Sequence, residues 1–380
     1  MPFRRIALIA ALGTLLCPMP SRALDFQGLE LTGSGFMTLA AGRVFGGTRD
    51  AAVDQGFRCP CFISDYAQGG VYEAGHWQAG PDSKLGLQGS VSAADGRYSV
   101  TGQAVSRGAA NGAADLEWLY ATMELSGNLT VQLGRKRLPL FSYSEAQDVG
   151  FALPWIHLPP QLYGWEVVNY DGASVVWRDQ WAQWSGTVQV FGGNEGRKDS
   201  GYWRIYNGRN SRTDVRWSDI LGAEVSVSRD WFSARAVRIQ SHTQNKIVSL
   251  GETSFSERKK QVIHGFSVGA DVGNWFARGE FLYIDRREDY GKDYANLLAI
   301  GYRHGPWQPL VSRAIYRQQL KDVESIAERH GSWSAVLRYD LTDDSAIKAQ
   351  LDLWKDRTAA GYASMHGDAR QFTVSYDRVF

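Results

Sequence analysis

From Leu29 to the C-terminus, apolar and polar residues alternate with a period of two rather than 3.6, in short runs broken by clusters of Gly, Asp, Asn, Ser and charge. That pattern predicts successive antiparallel strands joined by turns, with essentially no helix. Sixteen segments carry it: 29–44, 83–92, 98–106, 116–125, 129–138, 172–178, 184–193, 221–228, 232–242, 266–272, 275–285, 296–303, 307–317, 333–341, 345–356 and 370–380. In 345–355, Ile347, Ala349, Leu351 and Leu353 share one face, and Lys348, Gln350 and Asp352 the other. In 333–341, Trp333, Ala335, Leu337 and Tyr339 oppose Ser334, Arg338 and Asp340. Short connections (93–97, 126–128, 229–231, 273–274, 304–306, 342–344) alternate along most of the chain with long ones (46–82, 141–171, 194–220, 243–265, 355–369). An even strand count with short turns at one end and long loops at the other is the layout of a transmembrane antiparallel β-barrel.

Alternation alone does not separate such a barrel from a soluble sandwich, whose apolar face points into a core. The aromatic residues separate them. Trp333 and Tyr339, Trp275 and Tyr283, Trp307 and Tyr316, and Tyr376 and Phe380 stand near the ends of apolar stripes, where headgroup-level girdles are expected. Over 380 residues the chain holds 14 Trp, 17 Tyr, 16 Phe and 41 Gly. Most rings are therefore expected in two girdles, with a smaller group in the connection after the fifth strand. With 44% apolar and 21% charged residues, the chain is neither disordered nor a bundle of apolar spanning helices.

Residues 1–23 read as an export signal: Arg4 and Arg5, an apolar stretch over 6–17, and Ser21-Arg22-Ala23 as a cleavage site. The expected division is a signal over 1–23 and one barrel over 24–380. Removing Arg4, Arg5 and Arg22 from 41 basic residues leaves 38 against 40 acidic ones, so no nucleic acid or other strongly charged partner is implied. Cys59 and Cys61 flank Pro60 and read as a local disulfide or two loop thiols rather than a metal or redox site. No cofactor is called for. The last strand places Phe372, Val374, Tyr376 and Phe380 on one stripe, resembling the terminal signal of outer-membrane barrels, with Arg378 departing from it.

Three runs make a likeness specific. They are Asp82-Ser83-Lys84-Leu85-Gly86-Leu87-Gln88; Gly134-Arg135-Lys136-Arg137-Leu138-Pro139-Leu140-Phe141 with the aromatic stretch 143–163 containing Asp148-Val149-Gly150 and Pro154-Trp155; and the strand Phe372–Phe380. In these the chain resembles the Gram-negative outer-membrane porins and their porin-like relatives. The resemblance implies a 16-stranded barrel in the outer membrane, commonly trimeric, that passes small hydrophilic solutes or ions and sits among outer-membrane lipid and lipopolysaccharide. It also implies that 142–170 is a constriction loop folded back into the pore. Residue types agree: Phe151, Trp155, Ile156, Leu158, Leu162, Tyr163 and Trp165 would make a poor solvated tip, and Pro139, Pro154, Pro159 and Pro160 exclude a strand.

Charges decide what a pore prefers. The expected pore-lining residues are Glu145, Asp148 and Glu166 from the loop, facing Lys84, Lys136, Arg235, Arg278, Arg313, Arg317 and Arg338 from the strands. Acids opposed to a basic wall would set a transverse field, although inward pairs such as Arg278 and Glu280 can also satisfy one another. Alternatives are a channel selective for anions or carboxylates, and a receptor or adhesin barrel using the loops 46–82 and 194–220. A hydrolase would need a clustered nucleophile or base, and the seven histidines are dispersed.

Overall fold

The computed structural model describes residues 24–26, 28–48, 56–249, 252–286, 291–320, 326–358 and 367–380; the export signal expected over 1–23 lies outside them. In chain order the strands are β1 (Leu24–Phe26), β2 (Leu29–Gly47), β3 (Phe62–Asp65), β4 (Gly70–Tyr72), β5 (Lys84–Ala93), β6 (Tyr98–Arg107), β7 (Ala114–Ser126), β8 (Leu129–Arg137), β9 (Asn169–Trp181), β10 (Trp184–Arg197), β11 (Arg212–Arg229), β12 (Phe232–Ser249), β13 (Glu252–Phe255), β14 (Lys259–Val272), β15 (Trp275–Arg286), β16 (Gly291–Tyr302), β17 (Trp307–Gln319), β18 (Ile326–Thr342), β19 (Ser345–Asp356) and β20 (Ala369–Val379). Two short helices, α1 (Pro160–Tyr163) and α2 (Gly201–Asn207), stand in long connections where periodicity predicts none.

Each long strand pairs antiparallel with the next, and β20 pairs back onto β2 in the register Ala41↔Val374, closing a barrel of 16 strands. The remaining strands are accessory: β1 extends β2, β13 caps β12, and β3 and β4 form a separate hairpin. Each segment read from the sequence falls on a barrel strand, because a period-two pattern bounded by turn residues fixes both strand and register; β11, β12, β14 and β18 run further than read, so much of 212–220 and 243–265, expected as loop, is strand.

The two faces are inverted relative to a soluble protein. Outside, Leu85, Leu87, Leu298, Ile300, Val311, Leu337 and Ile347 are exposed; inside, Thr38, Lys348, Gln350, Asp352, Gln371, Thr373, Ser375 and Asp377 are buried. Apolar residues turned out and polar residues turned in require an apolar solvent around the barrel. Trp177, Trp181, Trp231, Trp275 and Trp307 are exposed around the short-turn end, as one girdle should be. Tyr316 departs from the girdle expectation: it faces inward, is buried, and donates to Asp293 Oδ1 at 2.7 Å.

The interior is more aromatic than the sequence reading expects. One buried cluster joins Leu138, Trp155, Leu158, Leu162, Trp165 and Tyr170 to inward strand residues such as Phe191, Trp217, Ile239 and Leu310. A second gathers Phe62, Ile63, Tyr66 and Tyr72 with Tyr202, Ile205 and Trp354. The described part of 46–82 is therefore largely packed rather than offered to a partner, and Cys59 and Cys61 within it form a disulfide.

Candidate functional site

After β8 the chain runs through 138–168, and its prolines leave it without ladder partners. Inward side chains of the strands supply them instead. Lys348, fully buried, donates to the carbonyls of Gly150 (2.6 Å) and Trp155 (2.9 Å) and pairs with Asp377 at 3.1 Å. Gln350 accepts from the Ile156 N–H at 2.8 Å, and the Trp155 indole donates to Ser312 Oγ at 3.1 Å. Near the start of the segment, the Ser142 N–H donates to Glu280 at 3.0 Å, and Tyr163 donates to the same carboxylate. Trp155 is fully buried, and a side chain of that size contributes about 3 kcal/mol by leaving water.

Two charge clusters fix the segment further. Arg107 grips Asp148 with two hydrogen bonds, Nη2 to Oδ2 at 2.7 Å and Nε to Oδ1 at 3.2 Å; Arg137 binds the same carboxylate, and both arginines also pair with Glu117. Burial opposes ionisation of Asp148, but Arg107, Arg137 and Lys84 outweigh it and hold the carboxyl well below the usual range. His157 lies between Asp82 Oδ2 (2.9 Å) and Asp352 Oδ2 (3.0 Å). Burial alone would favour neutral imidazole, yet the two carboxylates push its pKa up to about 10, so the imidazolium donates to both.

The residues expected to line a pore separate into three groups. Lys84, Lys136, Arg235 and Arg278 face inward and are partly exposed, and Glu145 on the segment is exposed. Lys84 donates to the Gln147 carbonyl at 3.2 Å, and Lys136 donates to Gln132 and lies over the Tyr120 ring. Arg235 is held by Glu224 at 2.7 Å and by the Pro139 carbonyl, and Arg278 by Asp271 at 2.8 Å.

A second group is inward but engaged. Asp148 is enclosed as described, and Arg338 donates to Asp340 and to the Phe151 and Leu153 carbonyls. Glu166 does not face an opening: it accepts from the indoles of Trp203 and Trp217, each at 2.7 Å, and burial pushes its carboxyl up.

Arg313 and Arg317 form the third group and correct the sequence reading, because both lie on the outer wall. Arg313 stands in register with Leu298 and Trp333, which are exposed, whereas its neighbours Ser312 and Ala314 are buried. On β17 the arginines share parity with Trp307, Val311 and Ile315, and parity outranks the expectation that charge faces the lumen.

Arg107, Arg137, His157, Lys348 and Gln350 carry the segment's attachment, and the sequence reading does not single them out as site residues. Lys348 and Gln350 were visible as the polar face of β19; His157 carried a signal only as a histidine amid an apolar loop. Below the segment, toward the short turns, a cavity of about 270 Å³ is lined by Ser142, Tyr143, Arg235, Ser267, Arg278 and Glu280. A smaller one of about 50 Å³ includes Asp82, Lys84, Arg107, Asp148 and His157 in its wall.

No protein-family model and no curated protein matches the chain. Among solved structures it is similar to the outer membrane channel DcaP of Acinetobacter baumannii (TM-score 0.58, 11% identity, 94% of this chain and 99% of that one). It is also similar to an anion-selective porin from Comamonas acidovorans (0.56, 13%, 93% and 100%). A third likeness is to the trimer form of OmpT, an outer membrane protein of Vibrio cholerae (0.53, 10%, 93% and 100%). At these identities the shared property is the fold: a closed, porin-like β-barrel.

Proposed function

We propose that this chain is an outer-membrane porin: a non-enzymatic, water-filled channel through which small hydrophilic solutes and ions diffuse passively. Segment 142–170 narrows it. The observation that carries this reading is the attachment of that segment, through Lys348, Gln350, Ser312, Glu280 and the Asp148 and His157 clusters, to the inner faces of strands around the barrel. A segment merely covering the mouth would have no use for so many buried partners deep on the walls. The same polar partners make it a fixed constriction rather than a mobile lid, since each broken bond would leave a buried group unsatisfied.

Of the neighbours in structure, one is an outer membrane channel, one an anion-selective porin and one the trimer form of an outer membrane protein. The proposal extends the location and a trimeric assembly, in a leaflet of lipid and lipopolysaccharide, to this chain. Anion preference is the finer reading. Arg235 is offset by Glu224 and Arg278 by Asp271, whereas Lys84 shares Asp148 with Arg107 and Arg137, and Lys136 stands against the exposed Glu145. Recording purified protein in a planar bilayer under a potassium chloride gradient tests both parts. Stepwise conductance with a reversal potential on the anion side is expected; folded protein that inserts without conducting would refute the channel, and a cation-side potential would refute the preference.

A further inference from the structure

We propose that the connection between β2 and β5, over its described residues 56–82, is a second constriction element, and that its Asp65 forms with Lys84 of β5 a site on the conduction path for small zwitterions of the amino-acid class. The proposal deepens the porin reading above and rests on it, naming a solute class and the residues that hold it.

The connection is fastened from three sides. Pairing of β2 with β5 ends at Thr38 and Lys84, and beyond that point Gln78 takes up the free edge of β2: the Gly42 N–H donates to the Gln78 carbonyl at 2.9 Å and the Gln78 N–H to the Gly42 carbonyl at 2.8 Å. Tyr72 donates to Asp82 Oδ2 at 2.8 Å, and Gln68 accepts from Arg197 at 2.7 Å. On its inner side the hairpin β3–β4 meets segment 142–170. The Phe62 ring lies 5.1 Å from that of His157, and a Cβ added at Gly164 would stand 2.5 Å from the Tyr66 ring. The two segments thus pack on one another, and 56–82 is held by buried polar partners as 142–170 is.

Between the segments the cavities follow one another. One of about 440 Å³ at the long-loop end, with Gln68, Gly80, Gly108 and Arg209 in its wall, shares Pro81 and Ala109 with the cavity of about 50 Å³. Tyr163 lines the latter, and its hydroxyl donates to Glu280 in the wall of the lower cavity of about 270 Å³. The middle cavity, with room for about four waters, is the narrowest of the three, and it carries Asp65 from the hairpin and Lys84 from the barrel wall. Asp65 Oδ1 accepts from the Gln68 N–H at 3.1 Å; among the described residues its carboxylate forms no ion pair. Burial pushes this carboxyl up, and Lys84 is the cation that most opposes the shift. Lys84 donates to the Gln147 carbonyl, stands 3.8 Å from Asp148 and stays partly exposed. An acceptor and a donor of opposite charge, too far apart to pair and facing one small cavity, match a solute that carries both charges. An amino acid's ammonium would donate to Asp65 while its carboxylate accepts from Lys84, each bond charge-assisted. A neutral solute of the same size gains neither, and a singly charged one gains only one.

The test records current through the full chain in a planar bilayer at neutral pH while four solutes of nearly equal size are titrated singly: alanine as zwitterion, alaninamide as cation, lactate as anion and lactamide as the neutral form. In the wild type, alanine should halve the potassium chloride current at about a tenfold lower concentration than lactamide, with the two singly charged solutes between them. D65N keeps the bond from the Gln68 N–H, because its amide oxygen also accepts, and should remove the advantage of alanine over lactate; D65E should keep part of it. Equal block by all four solutes in the wild type overturns the site, and this comparison needs no variant to fold. A folded D65N channel that retains the alanine advantage overturns the role of Asp65. Lactate blocking as well as alanine in the wild type overturns the zwitterion assignment in favour of an anion site. Folded wild-type protein that inserts but carries no current overturns the porin reading itself, an outcome distinct from conduction without preference.

Discussion

Replacing Asp148 with asparagine removes one charge from the cluster that holds segment 142–170, with almost no change in shape. In the native cluster Arg107, Arg137 and Lys84 face Asp148 and Glu117, with Asp115 at 3.7 Å from Arg107 and partly solvated. D148N leaves three buried or half-buried cations around one fully buried carboxylate. The amide oxygen can replace only one of the two carboxylate oxygens, and its NH2 then faces donors in either orientation: Arg107 and Arg137 at the Oδ2 position, or Arg107 and Lys84 at the Oδ1 position. Breaking a buried ion pair by neutralising one member costs about 3–5 kcal/mol, or roughly 100- to several thousand-fold in the ratio of docked to undocked segment.

Single-channel recording reads that ratio. The variant should show bursts to a larger conductance and a reversal potential moved further toward anions, because the lumen gains one net positive charge. Unboiled gel mobility should still report a folded barrel, since the strand ladders are untouched. A folded D148N channel with wild-type conductance, noise and reversal potential would refute the claim that this cluster fastens the segment.

Other perturbations test the remaining contacts. His157 has its pKa raised by Asp82 and Asp352, so its contribution is complete below its ordinary value near 6.5 and lost as pH rises through about 10; wild-type channels should become noisier across that upper range, whereas H157F should be noisy at neutral pH and show no further rise. A methyl group at Gly150 would sit 2.1 Å from Asp377 Oδ1 and 2.3 Å from Thr38 Oγ1. G150A should therefore weaken docking by about 1–3 kcal/mol and expose the segment to limited proteolysis that wild type resists. Lys136 faces the lumen beside Tyr120 and, among the described residues, forms no ion pair with a carboxylate; K136E should move the reversal potential toward cations with little change in thermal stability, and an unmoved potential would remove Lys136 from the pore lining.

How much of this was legible in the sequence depends on whether a residue sits on a ladder. Strands β5 through β20 of the barrel follow the segments read from alternation, because lipid outside and polar packing inside give each position one permitted face. For Arg313 and Arg317 residue type points inward and strand parity outward, and parity decides. Within the connections no period exists, so residue type was the only signal. It identified 142–170 as needing burial through its tryptophans and prolines, but gave no means of seeing that Asp148 would be enclosed by Arg107 and Arg137, or that Glu166 would meet two indoles supplied by α2 and β11. Those partners come from strands far away in sequence, brought together only by closure of the barrel. For the same reason the described part of 46–82 looked like a surface loop, although its Phe62, Ile63, Tyr66 and Tyr72 already formed an apolar series without an assigned neighbour.

The central claim is that a water-filled channel runs through this barrel and that the segment after β8 sets its width. The most direct measurement compares single-channel conductance of the wild-type chain with a variant in which residues 144–165 are replaced by a short Gly-Ser connector, both shown to be folded by heat-dependent gel mobility. The account predicts discrete steps for the wild type and distinctly larger steps for the variant, with weaker discrimination between small and large neutral sugars in liposome swelling. Equal step sizes and equal sugar discrimination in two folded barrels, or no conductance from either, would contradict it.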